Sequence, residues 1–397
     1  MNREHFNILK KDVIYFDNAA TSLKPNVVIE KINEYYNEYP VSYHRGEYDL
    51  ALKVEKEVEE TRLLIKDYIN ASSINEIIFT SGTTLGINLI VNGFFKKYLN
   101  EGDEVLLNKG EHASLVLPWL ILKEELNINI KYIDLKEDLT FSVENFKKSI
   151  TDKTKVIALS HITNVVGDIR DLKEIIKIAH DNNILVLVDA AQGLSHININ
   201  VKELDVDFLV SSAHKMFGPT GVGFIYGKDN LLAKTNPYIV GGGMNLSLDD
   251  EIIYKSLPYK LEAGTLNISG IIGYKESIKY INELGINNIN KHIVELSEYL
   301  INNLKMVKYI KILNPNSKSG IVSFNVGDLF SQDVAHYLNK YNICVRSGDH
   351  CAKNLKDIIG FKNTIRVSLS FYNNKEEIDK LVSLLKDIEK IKKEMIL

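Results

Sequence analysis

Between about residues 75 and 226 the chain alternates seven short β-rich runs with stretches of helical periodicity. That alternation restricts the fold to an α/β architecture, a mostly parallel sheet with helices on both faces. The runs are Ile77-Ile78-Phe79, Val105-Leu106-Leu107, Ile130-Lys131-Tyr132-Ile133, Val156-Ile157-Ala158-Leu159, Ile184 to Val188, Phe208 to Val210, and Val222 to Tyr226. Short runs so apolar read as strands buried on both faces. Open sheets of this kind bind ligands at the carboxyl ends of their strands, so the polar residues that follow each run are the first candidates for chemistry.

A length of 397 residues with 45% hydrophobic content is enough for two domains. After Gly264 the texture changes. A long helical segment to about Met306 precedes the strand candidates Ile321 to Val326, Ile343 to Arg346 and Ile365 to Leu369, as in a smaller α+β domain. Near the end Ile378, Leu381, Leu385, Ile388 and Ile391 recur at helical spacing among mixed charges, the pattern of a docked terminal helix. The expected division is an amino-terminal segment 1–20 packing with the small domain, a large domain 21–262, and a small domain 263–397. Acidic and basic residues are interspersed around a net charge of −4, which offers no field for nucleic acid or an anionic membrane. Met1 to Phe6 lacks an apolar signal core, and no apolar run is long enough to span a bilayer, so a cytoplasmic location is expected. Cys344 and Cys351 are the only cysteines. They are too few for a disulfide framework and lack the paired spacing of a zinc site, so no metal is expected and one of them is free to be a working thiol.

Lys215 stands in Ser211-Ser212-Ala213-His214-Lys215, ahead of the glycine-rich turn Gly218-Pro219-Thr220-Gly221 and just after the sixth run. Asp189 ends the fifth run. A lysine whose pKa is lowered by burial is the amine that holds the aldehyde of pyridoxal phosphate, and a protonated pyridine nitrogen is the partner that justifies a carboxylate in such a place. Taken singly, Asp189 reads more readily as a helix cap and Lys215 as a surface lysine. Ser81-Gly82-Thr83-Thr84 precedes a helix and suits either a phosphate or ordinary capping. His112 follows the second run, where an imidazole can stack on a planar ring and move protons or simply cap a helix. Asn164 follows the fourth run as a partner for a cofactor oxygen or a substrate carboxylate, and Gln192 is placed to donate to the phenolic oxygen of the cofactor.

Together, Asp189-Ala-Ala-Gln192, Ser212-Ala-His214-Lys215, Gly82-Thr-Thr84, Glu111-His112, Glu262-Ala-Gly264-Thr265 and Arg346-Ser-Gly-Asp-His350-Cys351 resemble the class V aminotransferase-like, pyridoxal-phosphate-dependent cysteine desulfurases, in the branch that includes sulfur-mobilisation desulfurases and selenocysteine lyases. The likeness runs from Tyr15-Phe16-Asp17-Asn18-Ala19-Ala20 to Arg366. It implies the fold-type I transferase fold, with a seven-stranded large domain and a smaller carboxyl-terminal domain carrying Cys351 and Arg366. It also implies a Schiff base of pyridoxal 5'-phosphate on Lys215, Asp189 at the pyridine nitrogen, Gln192 at the phenolic oxygen and His112 over the ring. Thr83, Thr84, Ser212 and His214 would hold the phosphate, joined by Thr265 from the other subunit of a homodimer. Arg366, with Asn164, would bind the substrate carboxylate.

The reaction so implied converts L-cysteine to L-alanine, with a persulfide formed on Cys351 and passed to an acceptor or scaffold protein for iron–sulfur cluster assembly. A selenocysteine lyase or a class V aminotransferase on the same fold is the enzymatic alternative. A silent docking protein for a sulfur carrier is the non-enzymatic one.

Overall fold

The computed structural model describes residues 3–43, 46–247, 252–360 and 363–395; Met1 and Asn2, read above for a leader, lie outside them. Each of the seven runs forms a strand of one sheet: β1 (Ile77–Thr80), β2 (Glu104–Asn108), β3 (Asn129–Ile133), β4 (Thr154–Ser160), β5 (Leu185–Asp189), β6 (Phe208–Ser212) and β7 (Gly223–Gly227). Their spatial order is β1-β7-β6-β5-β4-β2-β3. Strands β2 to β6 pair in parallel, whereas β7 runs antiparallel to both its neighbours.

Successive side chains of a strand point to opposite faces, and here both faces are dry. Ile77, Leu106, Ile157, Val188 and Leu209 enter one core, while Ile78, Leu107, Ala158, Leu187 and Val210 enter another. Each such side chain contributes about 1.5–3 kcal/mol by leaving water. A polar group inside these runs would forfeit that gain, so polar residues collect where the strands end. The register then sets them side by side: Ser160 opposite Asp189 on β4 and β5, Asp189 opposite Val210, and Ser212 opposite Gly223.

The helices around the large sheet include α1 (Asn26–Glu38), α2 (Asp49–Tyr68), α3 (Thr83–Ile90), α4 (Ala113–Leu126) and α5 (Ile268–Leu284). Helix α5 packs against α1 and α2 and adds Ile271, Ile272 and Ile278 to the first core, so the chain beyond residue 262 returns to the large sheet before it leaves. The helical segment that the sequence extends unbroken to Met306 is two helices. Gly285, at φ +78°, turns the chain between α5 and α6 (Ile286–Lys305), a backbone conformation that costs a glycine little.

The smaller sheet is antiparallel, ordered β8-β9-β11-β10 from β8 (Ile310–Ile312), β9 (Ile321–Val326), β10 (Arg346–Gly348) and β11 (Thr364–Ser368). Ile378, Leu381, Leu385 and Ile391, on the helices Lys375–Leu385 and Ile388–Met395, enter its core. At the other end of the sequence Ile14–Tyr15 pairs in parallel with Ile343–Cys344, and Asp17 bridges to Ser368. These pairings carry the amino-terminal segment to the small sheet. Among the described residues no helix is long and apolar enough to cross a membrane.

Candidate active site

Strand ends β4, β5 and β6, the amino ends of α3 and α4, and the β10–β11 side of the small sheet surround a cavity of about 210 Å³. All of the site residues expected from the sequence line it except Thr265. Thr265 is exposed and belongs to a separate cavity of about 180 Å³, with Thr80, Ser81 and Ile239.

Asp189 and Lys215 form the floor. The Asp189 carboxylate accepts the Ala191 N–H at 2.9 Å, and its burial raises its pKa against the pull of Lys215. Burial lowers the Lys215 pKa to about 8; Asp189 opposes that fall, while Arg366 and Arg346 deepen it. A lysine so shifted holds a usable fraction of free amine near neutral pH. The two groups face one cavity because β5 and β6 are neighbours in the sheet and both end there.

At one end of the cavity, hydroxyls gather at the amino terminus of α3. Ser212 Oγ accepts the Thr83 N–H at 2.8 Å and lies 2.8 Å from Thr83 Oγ1, while Thr84 Oγ1 meets Ser114 Oγ at 2.8 Å. Gly82, the N-cap of α3, sits at φ +149°, and a Cβ on it would lie 3.1 Å from Ser212 Oγ. Unpaired N–H groups and hydroxyls at a helix start suit an anion. The backbone carbonyl of His214 is tied to Ser22 N–H at 2.9 Å, and burial, followed by Lys215, lowers the His214 pKa to about 4.

His112 caps α4, its Nδ1 accepting the Ser114 N–H at 3.1 Å. A ring that accepts at Nδ1 carries its proton on Nε2. Burial, with Lys215 next in weight, lowers its pKa to about 4, so the ring is neutral at physiological pH. Gln192 donates from Nε2 to the Ala19 carbonyl at 2.9 Å, which leaves one amide N–H.

Across the cavity stands Cys351, exposed and at φ +59°. Several hydrogen bonds hold its loop. Cys351 N–H donates to Asp349 Oδ1 at 3.0 Å, Ala113 N–H donates to the Cys351 carbonyl at 2.8 Å, and Asn164 Nδ2 donates to the His350 carbonyl at 2.6 Å. Arg366, only 2% exposed, donates to the Asn164 carbonyl at 2.9 Å and to Asp17 Oδ1 at 3.1 Å.

Several residues in or beneath this cavity went unassigned in the sequence. Ser114, Ser160, Arg346 and His350 line it, and the last two stand inside the Arg346-to-Cys351 motif that pointed to the thiol. Under Ser160 lies a fully buried ion pair, Glu111 with Arg170; Glu111 accepts the Ser160 N–H at 3.0 Å, and Arg170 donates to the Ser160 carbonyl at 3.1 Å. No local pattern marks a pair whose partners are so far apart in sequence.

The donor set fits pyridoxal phosphate. Asp189 is a buried carboxylate suited to a pyridinium N–H, the start of α3 suits a phosphate, Lys215 supplies the amine, and the buried Asn164 Oδ1 has no hydrogen-bond partner among the described residues. Comparison with known proteins agrees with this chemistry. The sequence model of the Aminotransferase class-V family matches residues 14–381. A probable cysteine desulfurase of Halalkalibacterium halodurans is 39% identical over 98% of this chain and 96% of its own length, and a cysteine desulfurase of Serratia proteamaculans is 35% identical over 98% of both. The apo structure of a cysteine desulfurase from Thermococcus onnurineus superposes with a TM-score of 0.94 at 33% identity, covering 98% of this chain and 97% of that one.

Proposed function

Because the chain belongs to the aminotransferase class-V family and is a pyridoxal-phosphate-dependent cysteine desulfurase, we propose that its cavity leaves the sulfur of L-cysteine as a persulfide on Cys351 and releases L-alanine. The observation that carries this reading is the convergence of Asp189, Lys215 and Cys351 on a single cavity.

When bound, pyridoxal phosphate draws electrons from the Cα–H bond of an amino acid joined to it. Lys215 would hold the cofactor, and its amine, whose pKa burial lowers to about 8, would take the proton from the substrate Cα. Asp189 would keep the ring nitrogen protonated, His112 would offer its Nε2–H as a donor at the ring, and Gln192 would donate to the phenolic oxygen. Thr83, Thr84, Ser212 and His214 would bind the phosphate. Arg366 takes the substrate carboxylate through a planar fork of donors, and Asn164 orients it. The Cys351 thiolate then attacks the substrate sulfur. An S–S bond forms, the C–S bond breaks with its electron pair going to the carbon fragment, and protonation of that fragment completes L-alanine.

We infer that the exposed Cys351 hands its sulfur to an acceptor or scaffold protein for iron–sulfur cluster assembly, in the cytoplasm and without nucleic acid or membrane. Thr265, exposed and away from its own chain's cavity, fits the phosphate site of a second subunit in a homodimer. For the division of the chain, the pairing of Ile14–Tyr15 with Ile343–Cys344 supports an amino-terminal segment that belongs with the small domain. The packing of α5 on α1 and α2 favours a small domain that begins near Gly285 rather than at 263.

Incubation of the holoenzyme with L-cysteine, with alanine quantified and the adduct located by mass spectrometry, tests this reading. A persulfide on Cys351, lost in Cys351→Ala together with alanine formation, is the expected result. Alanine formed at the wild-type rate by Cys351→Ala overturns it.

A further inference from the structure

The carbonyl of His214, on the peptide bond that leads into Lys215, is surrounded by donors from one short segment. It accepts the Ser22 N–H at 2.9 Å, the Ser22 hydroxyl at 3.0 Å and the Thr21 hydroxyl at 3.1 Å, and Lys24 Nζ lies 3.4 Å away. A carbonyl oxygen has two lone pairs, so this one is held from more sides than its own hydrogen bonding requires. On the other flank of Lys215, Ser22 Oγ accepts the Phe217 N–H at 2.8 Å. Phe217 stands at φ +60°, a conformation that a residue other than glycine keeps only when its surroundings impose it.

Lys24 closes the segment on itself, donating to Thr21 Oγ1 at 2.7 Å and to the Ser22 carbonyl. Its ammonium is half-buried, and among the described residues its acceptors are all uncharged. Removal from water without a counter-ion disfavours the cation and lowers the Lys24 pKa to about 8. A surface lysine avoids that cost; this one bears it and braces Thr21 and Ser22. The segment is also tied from behind, where the Leu23 N–H donates to Tyr372 Oη at 3.0 Å and Tyr15 Oη donates to the Thr21 carbonyl at 2.8 Å. Neither Thr21 nor Lys24 lines the cavity.

We propose that Lys24 is a positioning residue for Lys215: through Thr21 and Ser22 it fixes the His214–Lys215 peptide, and so places the amine where the aldehyde of the cofactor arrives. This inference rests on the proposed role of Lys215.

Pyridoxal phosphate and pyridoxamine phosphate share a ring and a phosphate, but only the aldehyde condenses with the lysine amine, losing water to form an imine. Holoenzyme dialysed to equilibrium against mixtures of the two, then denatured in acid so that the bound cofactors can be quantified, gives the ratio of their affinities. Effects on ring or phosphate contacts cancel in that ratio, so a merely structural role leaves it unmoved. The parent is expected to prefer pyridoxal phosphate, and Lys24→Met to reduce that preference by about fivefold or more, the scale of a lost hydrogen bond. Thr21→Val, which removes one hydroxyl at nearly constant shape, is expected to shift the ratio the same way, and Thr21→Ser to keep the parent value; this pair carries the test alone if Lys24→Met does not fold. A preference unchanged in Lys24→Met or in Thr21→Val, or one lost equally in Thr21→Ser, overturns the proposal. The role of Lys215 is read separately: Lys215→Ala is expected to abolish the preference, and a preference retained by that variant would refute that role rather than the brace.

Discussion

The backbone carbonyl of Cys351 accepts the N–H of Ala113 at 2.8 Å, and Ala113 is the first residue of the helix that His112 caps. The thiol-bearing loop and the histidine-bearing helix are therefore fastened to each other by a single backbone contact at the cavity mouth.

Ala113→Pro isolates that contact. Proline is well tolerated at the first position of a helix, and His112 at φ −66°, ψ 145° already has the extended conformation that a following proline requires. The substitution removes one N–H and little else. The variant is expected to keep the cofactor absorbance and thermal midpoint of the parent while persulfide formation on Cys351 falls about tenfold, about 1.4 kcal/mol, the scale of one lost hydrogen bond. Single-turnover mass spectrometry of Cys351 measures it.

Ser212→Ala removes the hydroxyl that accepts the Thr83 N–H at the start of α3. Hydrogen bonds to a charged group contribute about 1.5–3 kcal/mol, so pyridoxal phosphate is expected to bind the apoenzyme at least tenfold more weakly. Pyridoxal, which has no phosphate, is expected to bind equally to both proteins. Fluorescence titration with the two compounds makes the comparison, and an equal loss for both would place Ser212 outside the phosphate site.

Much of this arrangement is legible in the order of the residues. The strands are readable because both faces of the sheet are apolar, and Asp189, Ser212 and Lys215 are readable because polar residues must gather where those runs stop. Asp17 and Arg346, an ion pair at 3.8 Å, are different. Both stand inside motifs that mark the family resemblance, yet their meeting depends on the Ile14–Tyr15 strand reaching Ile343–Cys344, a pairing with no periodicity of its own to announce it. The turn at Gly285 is hidden for another reason: apolar spacing continues across it, and one glycine in a helical pattern is common enough to pass unnoticed.

Arg170→Met tests the support beneath the cavity. It leaves the Glu111 carboxylate buried without its cation, and breaking a buried pair from one side costs roughly 3–5 kcal/mol. Urea unfolding is expected to report a loss of that size, and the double variant Glu111→Gln, Arg170→Met a smaller one.

Histidines give the stability a pH dependence. Burial lowers the pKa of His161 and His196 to about 4, with His112 and His214 shifted the same way. Unfolded rings bind a proton near pH 6.5 and the folded ones only near 4, so their contribution is complete above 6.5 and is lost as pH falls through 4. Each fully buried ring then removes about 2 kcal/mol between pH 7 and pH 5. Asp189, whose pKa is raised by burial, works in the opposite sense. A urea midpoint as high at pH 5 as at pH 7 would contradict the assignment.

Gly223 on β7 faces Gly82 across the sheet, and a Cβ at 223 would lie 2.6 Å from the Gly82 Cα and 2.3 Å from the Ser211 carbonyl oxygen. Two chains without side chains can lie against each other as no others can, and it is that closeness which lets the Thr83 N–H reach the Ser212 hydroxyl. A methyl group at 223 would open a wedge between β1 and β6 while leaving every charged residue of the cavity in place. The shape of the cavity at the start of α3 thus depends on an empty volume on a strand that does not line it.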